Sequence, residues 1–140
     1  YHWGDVHAEN FGPERAASIS QVRTALEAGV VCDFHQDAPV IPPDMLETVW
    51  CAVNRQTRTG RRLGPEFAVT PFEALEAVTK NAAYAYFEEA EKGTLAPGKK
   101  ADLVILDQNP LECPAGDIRD IRVMETIKDG KTVFRRTRRS

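Results

Sequence analysis

The feature that most constrains the fold is an apolar run over residues 30–34 that ends in two ionisable side chains, His35 and Asp37. The run is rich in branched and aromatic residues, which favour a strand, and the prolines after it cannot continue ladder pairing. Because side chains alternate along a strand, the pattern predicts that His35 and Asp37 point to the same side. Barrels and open α/β sheets place catalytic groups and ligands at such strand ends. His35 and Asp37 are therefore a candidate site.

A simpler interpretation of the same residues stays open at this point. An Asp at the end of a strand often forms a turn by hydrogen bonding to the backbone that follows. A single His in that position is often satisfied by a local partner, and a His-x-Asp pair is a weak motif by itself.

Length and composition limit the classes of protein that need to be considered. The chain has 140 residues, a net charge of −3 and 42% hydrophobic residues, which suits one domain or a piece of a larger protein. It has no apolar run of about 20 residues, so we expect no membrane partner. The basic tail over residues 135–139 lacks interleaved aromatic residues, and we expect no nucleic-acid partner. The chain starts at Tyr1 without a Met, from which we expect a fragment.

Cysteine usage favours a reducing compartment. Cys32, Cys51 and Cys113 are odd in number and show no C-x-x-C spacing. They are most simply read as thiols rather than as a disulfide framework, which predicts a cytoplasmic protein.

The first part of the chain reads as a loop, helices and one strand. Residues 1–12 are polar and hold His2, Asp5 and His7, but at no common zinc spacing, so they predict a loop. A helix is expected from Pro13 up to a C′ glycine at Gly29. Further helix starts are predicted at residues 42–44, and at residues 70–73 from a Thr-Pro-Phe-Glu capping box.

The last part of the chain reads as strands. Residues 55–62 predict a basic, polar loop and residues 93–99 a turn-rich link. Strands are expected over residues 103–106, 121–127 and 131–134. Asp129 and Gly130 between the last two predict a type I′ hairpin turn.

Several motifs, in order along the chain, resemble the C-terminal part of amidohydrolase family 3, within the metal-dependent amidohydrolase superfamily. They are the Gly-Pro-Glu-Arg-Ala of residues 12–16, the His-Gln-Asp-Ala-Pro-Val of residues 35–40, the Pro-Pro-Asp of residues 42–44, the Asn-Ala-Ala-Tyr of residues 81–84 and the long Gly-Thr-Leu-Ala-Pro-Gly-Lys motif that runs on through residue 107.

The resemblance implies an α/β fold in which the chain is the C-terminal fragment of a (β/α)8 barrel together with the C-terminal strands of a composite β-sandwich. It implies a barrel end over residues 1–92 and a sandwich part with the basic tail over residues 93–140. Within these, it implies an eighth barrel strand at residues 30–37, helices at residues 44–59 and 70–90, and sandwich strands at residues 101–135.

The resemblance also implies the chemistry. Asp37 matches the family's strand-eight aspartate, which can ligate a divalent metal, here zinc, and takes a proton from the attacking water. A metal lowers the pKa of its bound water to about 7, and an adjacent carboxylate completes the deprotonation. His35 is assigned to the substrate pocket. The implied reaction is hydrolysis of carbon–nitrogen bonds other than peptide bonds, in a small-molecule amide-type substrate.

The chain departs from the family pattern in two ways. Gln36 replaces a Ser, Thr or Asn, and Asp33 places a charge in a normally apolar strand. The family's other metal ligands would lie upstream of Tyr1, so we expect the isolated chain to bind no metal and to be inactive.

An alternative of another class is a catalytically empty, oligomeric interaction module. In either case unpaired apolar strands at residues 30–34 and 103–106 predict a homo-oligomer, most simply a two-fold dimer.

Overall fold

In the computed structural model, which describes residues 1–137, helices precede a small antiparallel sheet. Arg138 and Arg139 of the predicted basic tail lie outside the described residues. The described elements are α1 (Gly4–Phe11), α2 (Pro13–Ala17), α3 (Val22–Glu27), α4 (Met45–Asn54), a 3₁₀ helix (Pro65–Phe67), α5 (Pro71–Val78), α6 (Lys80–Ala85), β1 (Leu103–Leu106), a second 3₁₀ helix (Ala115–Asp120), β2 (Val123–Lys128) and β3 (Lys131–Arg135).

The helix starts follow the capping signals of the sequence. The Asp44 carboxylate accepts hydrogen bonds from two backbone N–H groups of the first turn of α4. Thr70 and Glu73 form the predicted capping box at α5. Glu73 also accepts two hydrogen bonds from Arg23, at 2.7 and 2.6 Å, and these bonds lower the pKa of Glu73 to about 2. The cap thus ties α5 to α3 as well as starting a helix.

The strands pair in the order β1–β2–β3, antiparallel throughout. Asp129 and Gly130 have φ values of +48° and +74°, the two positive values that a type I′ turn requires. The predicted hairpin is therefore confirmed. The sheet is thinly covered, since Val104, Ile105 and Val133 are all exposed.

A small core joins the helical part to the segment before the sheet. Its buried residues are Val49, Trp50, Val69, Ala74 and Ile118. Within it, the Trp50 indole N–H donates a hydrogen bond of 2.9 Å to the Gly116 carbonyl. The contact holds α4 against the second 3₁₀ helix, which leads into β2.

Two predictions about the first part of the chain are wrong. Residues 4–11 form a helix rather than a loop, because Ala8 packs against Ala16 and Leu63 and the helix has a side to bury. Residues 30–36 form no strand among the described residues. A strand needs a neighbour to complete its backbone hydrogen bonds, and the described sheet pairs only β1, β2 and β3.

The predicted helices are shorter than expected. The helix from Pro13 breaks over residues 18–21, where Ser20 has a φ of +49°, and resumes as α3 up to the predicted glycine. The helix expected over residues 44–59 ends at Asn54, since Arg55 is left-handed with a φ of +48°. The one expected over residues 70–90 divides at Thr79 into α5 and α6, which ends at Ala85.

The chain is a mixed α/β structure. Among residues 1–137, no helix combines the length and the apolar character needed to cross a bilayer.

Candidate active site

The candidate site lies on the loop of residues 30–44, which connects α3 to α4. Two contacts fix this loop to the helices. The Asn81 side chain on α6 donates a hydrogen bond of 2.9 Å to the Cys32 carbonyl. The buried Gln36 amide donates to the Asp44 carbonyl and to the Thr48 hydroxyl, at the start of α4. The loop therefore has a defined path although it belongs to no sheet.

His35 and Asp37 lie in a turn and not on one face of a strand. Asp37 has a φ of +54°, and its carbonyl accepts a hydrogen bond of 2.9 Å from the Val40 N–H. The Asp37 backbone N–H donates to His35 Nδ1 at 3.1 Å. The strand geometry predicted for the pair is wrong, because no ladder holds these residues extended. The simpler interpretation, a turn with a locally satisfied His, describes their backbone.

This contact sets the chemistry that the pair can offer. Since His35 Nδ1 accepts a hydrogen bond, the neutral ring carries its proton on Nε2, which can donate to a ligand oxygen. Asp37 is exposed, so its carboxylate is accessible to solvent and to a ligand. The two side chains thus offer one donor and one acceptor.

A cavity of about 580 Å³ opens between the loop, α1 and α4. His35 lines it, whereas Asp37 is not among its lining residues. Apolar side chains such as Phe34 and Ile41 form part of the wall, and His2 and His7 also line it. A wall of this mixed character suits a small molecule with an apolar portion.

Asp5 and His2, near the start of the chain, have polar partners on α4 and on the residues that follow it. Asp5 accepts hydrogen bonds from the Thr57 and Thr59 hydroxyls at 2.8 and 2.7 Å, and the bond from Thr59 is the main reason that the pKa of Asp5 is lowered. His2 lies 3.5 Å from Glu47. The contacts of Asp5 hold α1 against the residues that follow α4, and the contact of His2 holds the segment before α1 against α4 itself.

The donor set does not by itself fit a catalytic metal. Within residues 1–137, no group of three or more His, Cys, Asp or Glu side chains is arranged to hold a metal ion. A catalytic zinc site usually takes three protein ligands, and Asp37 alone would supply one.

We therefore expect the purified 140-residue chain to retain clearly less than one zinc per chain after dialysis, measured by elemental analysis. The Asp37→Asn variant is the matched control and should retain no less. One tightly held metal per chain would contradict this prediction, and would mean that His2, His7 or His35 forms a site.

The sequence model of the Amidohydrolase family matches residues 3–134 of the chain. The chain belongs to this family. The resemblance seen in the sequence motifs is thereby confirmed. The family is generally metal-dependent, and its full-length members are hydrolases.

Two curated relatives and one solved structure illustrate the match. An N-substituted formamide deformylase of Arthrobacter pascens is 36% identical over 98% of this chain and 26% of its own length. An adenine deaminase of Methanosphaera stadtmanae is 30% identical over 75% of this chain and 16% of its own. The crystal structure of an amidohydrolase from Thermotoga maritima has a TM-score of 0.63 at 25% identity, over 82% of this chain and 26% of its own. The present chain thus spans about a quarter or less of the length of each of these three proteins.

Sequence reasoning missed two residues that shape the site. In the sequence, Gln36 is only a departure from the family pattern, and its contacts with Asp44 and Thr48 are seen only in the structure. Arg55 was placed in a polar loop, but it is half-buried and donates hydrogen bonds to backbone carbonyls near the cavity. No sequence pattern predicts that backbone carbonyls from separate segments of the chain lie around the guanidinium of one arginine.

Proposed function

We propose that the chain is the C-terminal part of a metal-dependent hydrolase that cleaves carbon–nitrogen bonds other than peptide bonds. The observation that carries this proposal is the family match over residues 3–134, with a relative whose name describes removal of a formyl group from nitrogen. In the proposed arrangement, the loop of residues 30–44 lies at the C-terminal end of a (β/α)8 barrel, and the strands within residues 101–135 belong to a composite β-sandwich.

In this function Asp37 takes a proton from the attacking water and contributes one ligand to the metal site. This role is supported by the position of Asp37 on an exposed turn of a loop that is tied to α4 through Gln36 and to α6 through Asn81. The metal, proposed to be zinc, supplies an acidified water when bound. His35 holds the substrate, since its Nε2–H can donate to a carbonyl oxygen from the cavity wall.

The proposed substrates are small amides, with N-substituted formamides as the first class to test. The test measures amine release by the longer enzyme, by the 140-residue chain and by the chain with added Zn²⁺. We expect turnover by the longer enzyme and none by the chain in either condition. Absence of amine release from formamides and other small amides by the longer enzyme would contradict the proposal.

We also propose a cytoplasmic location, which suits the free thiols of Cys32, Cys51 and Cys113.

A second candidate function is an interaction module without catalysis. It is favoured by apolar side chains that are left exposed on the loop and on the sheet, namely Val30, Val31, Val104 and Ile105. Such surfaces pair readily with another copy.

We therefore expect light scattering to give the isolated chain about twice the mass of one copy, since two-fold dimers are the commonest assembly. Val31→Lys or Val104→Lys should shift it to the monomer, because a buried lysine would lack a partner. The control is Leu95→Lys in the link of residues 93–99, which should leave the mass unchanged. A monomeric parent chain would contradict the prediction.

A further inference from the structure

Gln36 is the one residue between His35 and Asp37, and it is buried with 9% of its surface exposed. Its Nε2 donates one hydrogen bond to the Asp44 carbonyl and one to the Thr48 hydroxyl oxygen. Thr48 in turn donates its hydroxyl hydrogen to the same carbonyl, at 3.1 Å. Both hydrogens of the amide are used in this closed set of contacts.

The acceptors of Gln36 are rigidly placed. Asp44 is the N-cap of α4, where its carboxylate accepts from the Leu46 and Glu47 N–H groups at 3.0 and 3.1 Å. Thr48 lies in the first turn and a half of the same helix, directly before the buried Val49 and Trp50. Gln36 therefore fixes the loop to a helix that is anchored in the core.

Asp37 needs such an anchor. Its left-handed backbone is unfavourable for a residue with a Cβ, so the surrounding structure must hold it. The turn has its own bonds, from Asp37 N–H to His35 and from Val40 N–H to Asp37, but these bonds lie within the loop. Gln36 is the residue next to Asp37 that joins this turn to a helix.

We infer that Gln36 is a positioning residue: its buried amide holds the turn at Asp37 against the start of α4 and so fixes where the Asp37 carboxylate lies. This inference rests on the proposed function, since it assigns Gln36 a part in the role of Asp37.

The unpartnered oxygen of the amide supports this role over a purely stabilising one. Among the described residues, Gln36 Oε1 is buried without a hydrogen-bond partner. Such a group is destabilising, and this offsets much of what the two donated bonds contribute. A residue kept only for stability would gain by being apolar. The two N–H groups of the Gln36 amide therefore fix the position of the loop but add little to the net stability of the fold.

The same balance predicts the behaviour of Gln36→Met in the longer hydrolase. Methionine fills the space and removes the unpartnered oxygen, and the Asp44 carbonyl still accepts from Thr48. We expect the unfolding temperature to stay within a few degrees of the parent and kcat to fall by about 10-fold or more, as a misplaced catalytic group predicts. KM should change less than kcat, because methionine still fills the place of Gln36 in the cavity wall, whereas the Asp37 carboxylate loses its fixed position.

Two further variants keep the test decisive. Thr48→Val has nearly the same shape and removes one acceptor, so it should lower kcat less than Gln36→Met does. Gln108→Met replaces an exposed glutamine after β1 and should leave kcat, KM and the unfolding temperature unchanged.

The outcomes separate this inference from the function on which it rests. If Asp37→Asn abolishes turnover while Gln36→Met and Thr48→Val keep the parent kcat, the positioning role is overturned and the proposed function stands. If Asp37→Asn keeps the parent turnover, both are overturned. A fall in kcat that is matched by equal loss of folded protein would also overturn the positioning role, because the effect would then be structural.

Discussion

Replacement of Asp37 by Asn is expected to lower the turnover number of the longer hydrolase by at least ~100-fold, the low end for removal of a positioned acid–base group. Asparagine has nearly the same shape but cannot accept a proton from water, and its amide oxygen is a poorer metal ligand than a carboxylate. The backbone turn should persist, because Asn tolerates the left-handed conformation that Asp37 adopts. The measurement is steady-state amine release at saturating substrate.

The control for this variant is Asp117→Asn, which removes an exposed carboxylate from the second 3₁₀ helix. It should leave turnover within about 2-fold of the parent, as expected for a surface change away from the site. Thermal unfolding of both variants excludes a general loss of structure. Turnover of Asp37→Asn close to that of the parent would remove Asp37 from the reaction.

The parts of the fold that depend on residues close together along the chain could be predicted from the sequence. Asp44 and the pair Thr70 and Glu73 cap the helices that they were expected to start, and Asp129 with Gly130 makes the expected turn. Each signal acts within a few residues, because a side chain satisfies backbone groups of the next turn. Such signals hold regardless of what the rest of the protein contributes.

The parts that depend on distant partners could not be predicted. Residues 30–34 have the composition of a strand, but composition does not supply a neighbouring strand, and the described chain leaves the segment as a loop. Residues 1–12 look polar, yet two small buried residues, Gly4 and Ala8, give α1 a packed side. The role of Asp37 stays a prediction from its motif, whereas the anchor at Gln36 came only from the structure.

Arg55 shows the same limit most clearly. It opens a stretch with four arginines, which reads as a solvated loop, but its guanidinium is half-buried. It donates to the carbonyls of Leu63 at 2.7 Å, Ser20 at 2.8 Å, Ile19 at 2.7 Å and Ala17 at 3.4 Å. These carbonyls belong to the break between α2 and α3 and to the end of the polar loop. Burial lowers the pKa of Arg55, and the negative charge of Glu66 acts in the opposite direction.

We expect Arg55→Met to lower the free energy of unfolding of the 140-residue chain by about 2–3 kcal/mol, since several carbonyls, most of them partly buried, lose a charged donor at once. Methionine keeps much of the apolar stem, so the loss reports on the hydrogen bonds. Arg55→Lys should fall between the parent and Arg55→Met, because an ammonium group cannot span four acceptors as the planar fork does. Urea unfolding followed by circular dichroism gives the three values.

The matched control is Arg61→Met, an exposed arginine of the same loop, which should change the free energy of unfolding by less than about 0.5 kcal/mol. Ile19 and Ser20 line the cavity together with Arg55, so loss of the guanidinium should also loosen the cavity wall. In the longer hydrolase, Arg55→Met should accordingly raise KM, whereas Arg61→Met should not. An Arg55→Met chain as stable as the Arg61→Met chain would show that the carbonyls of the α2–α3 break find other donors, and that the charge of Arg55 contributes little to holding the wall in place.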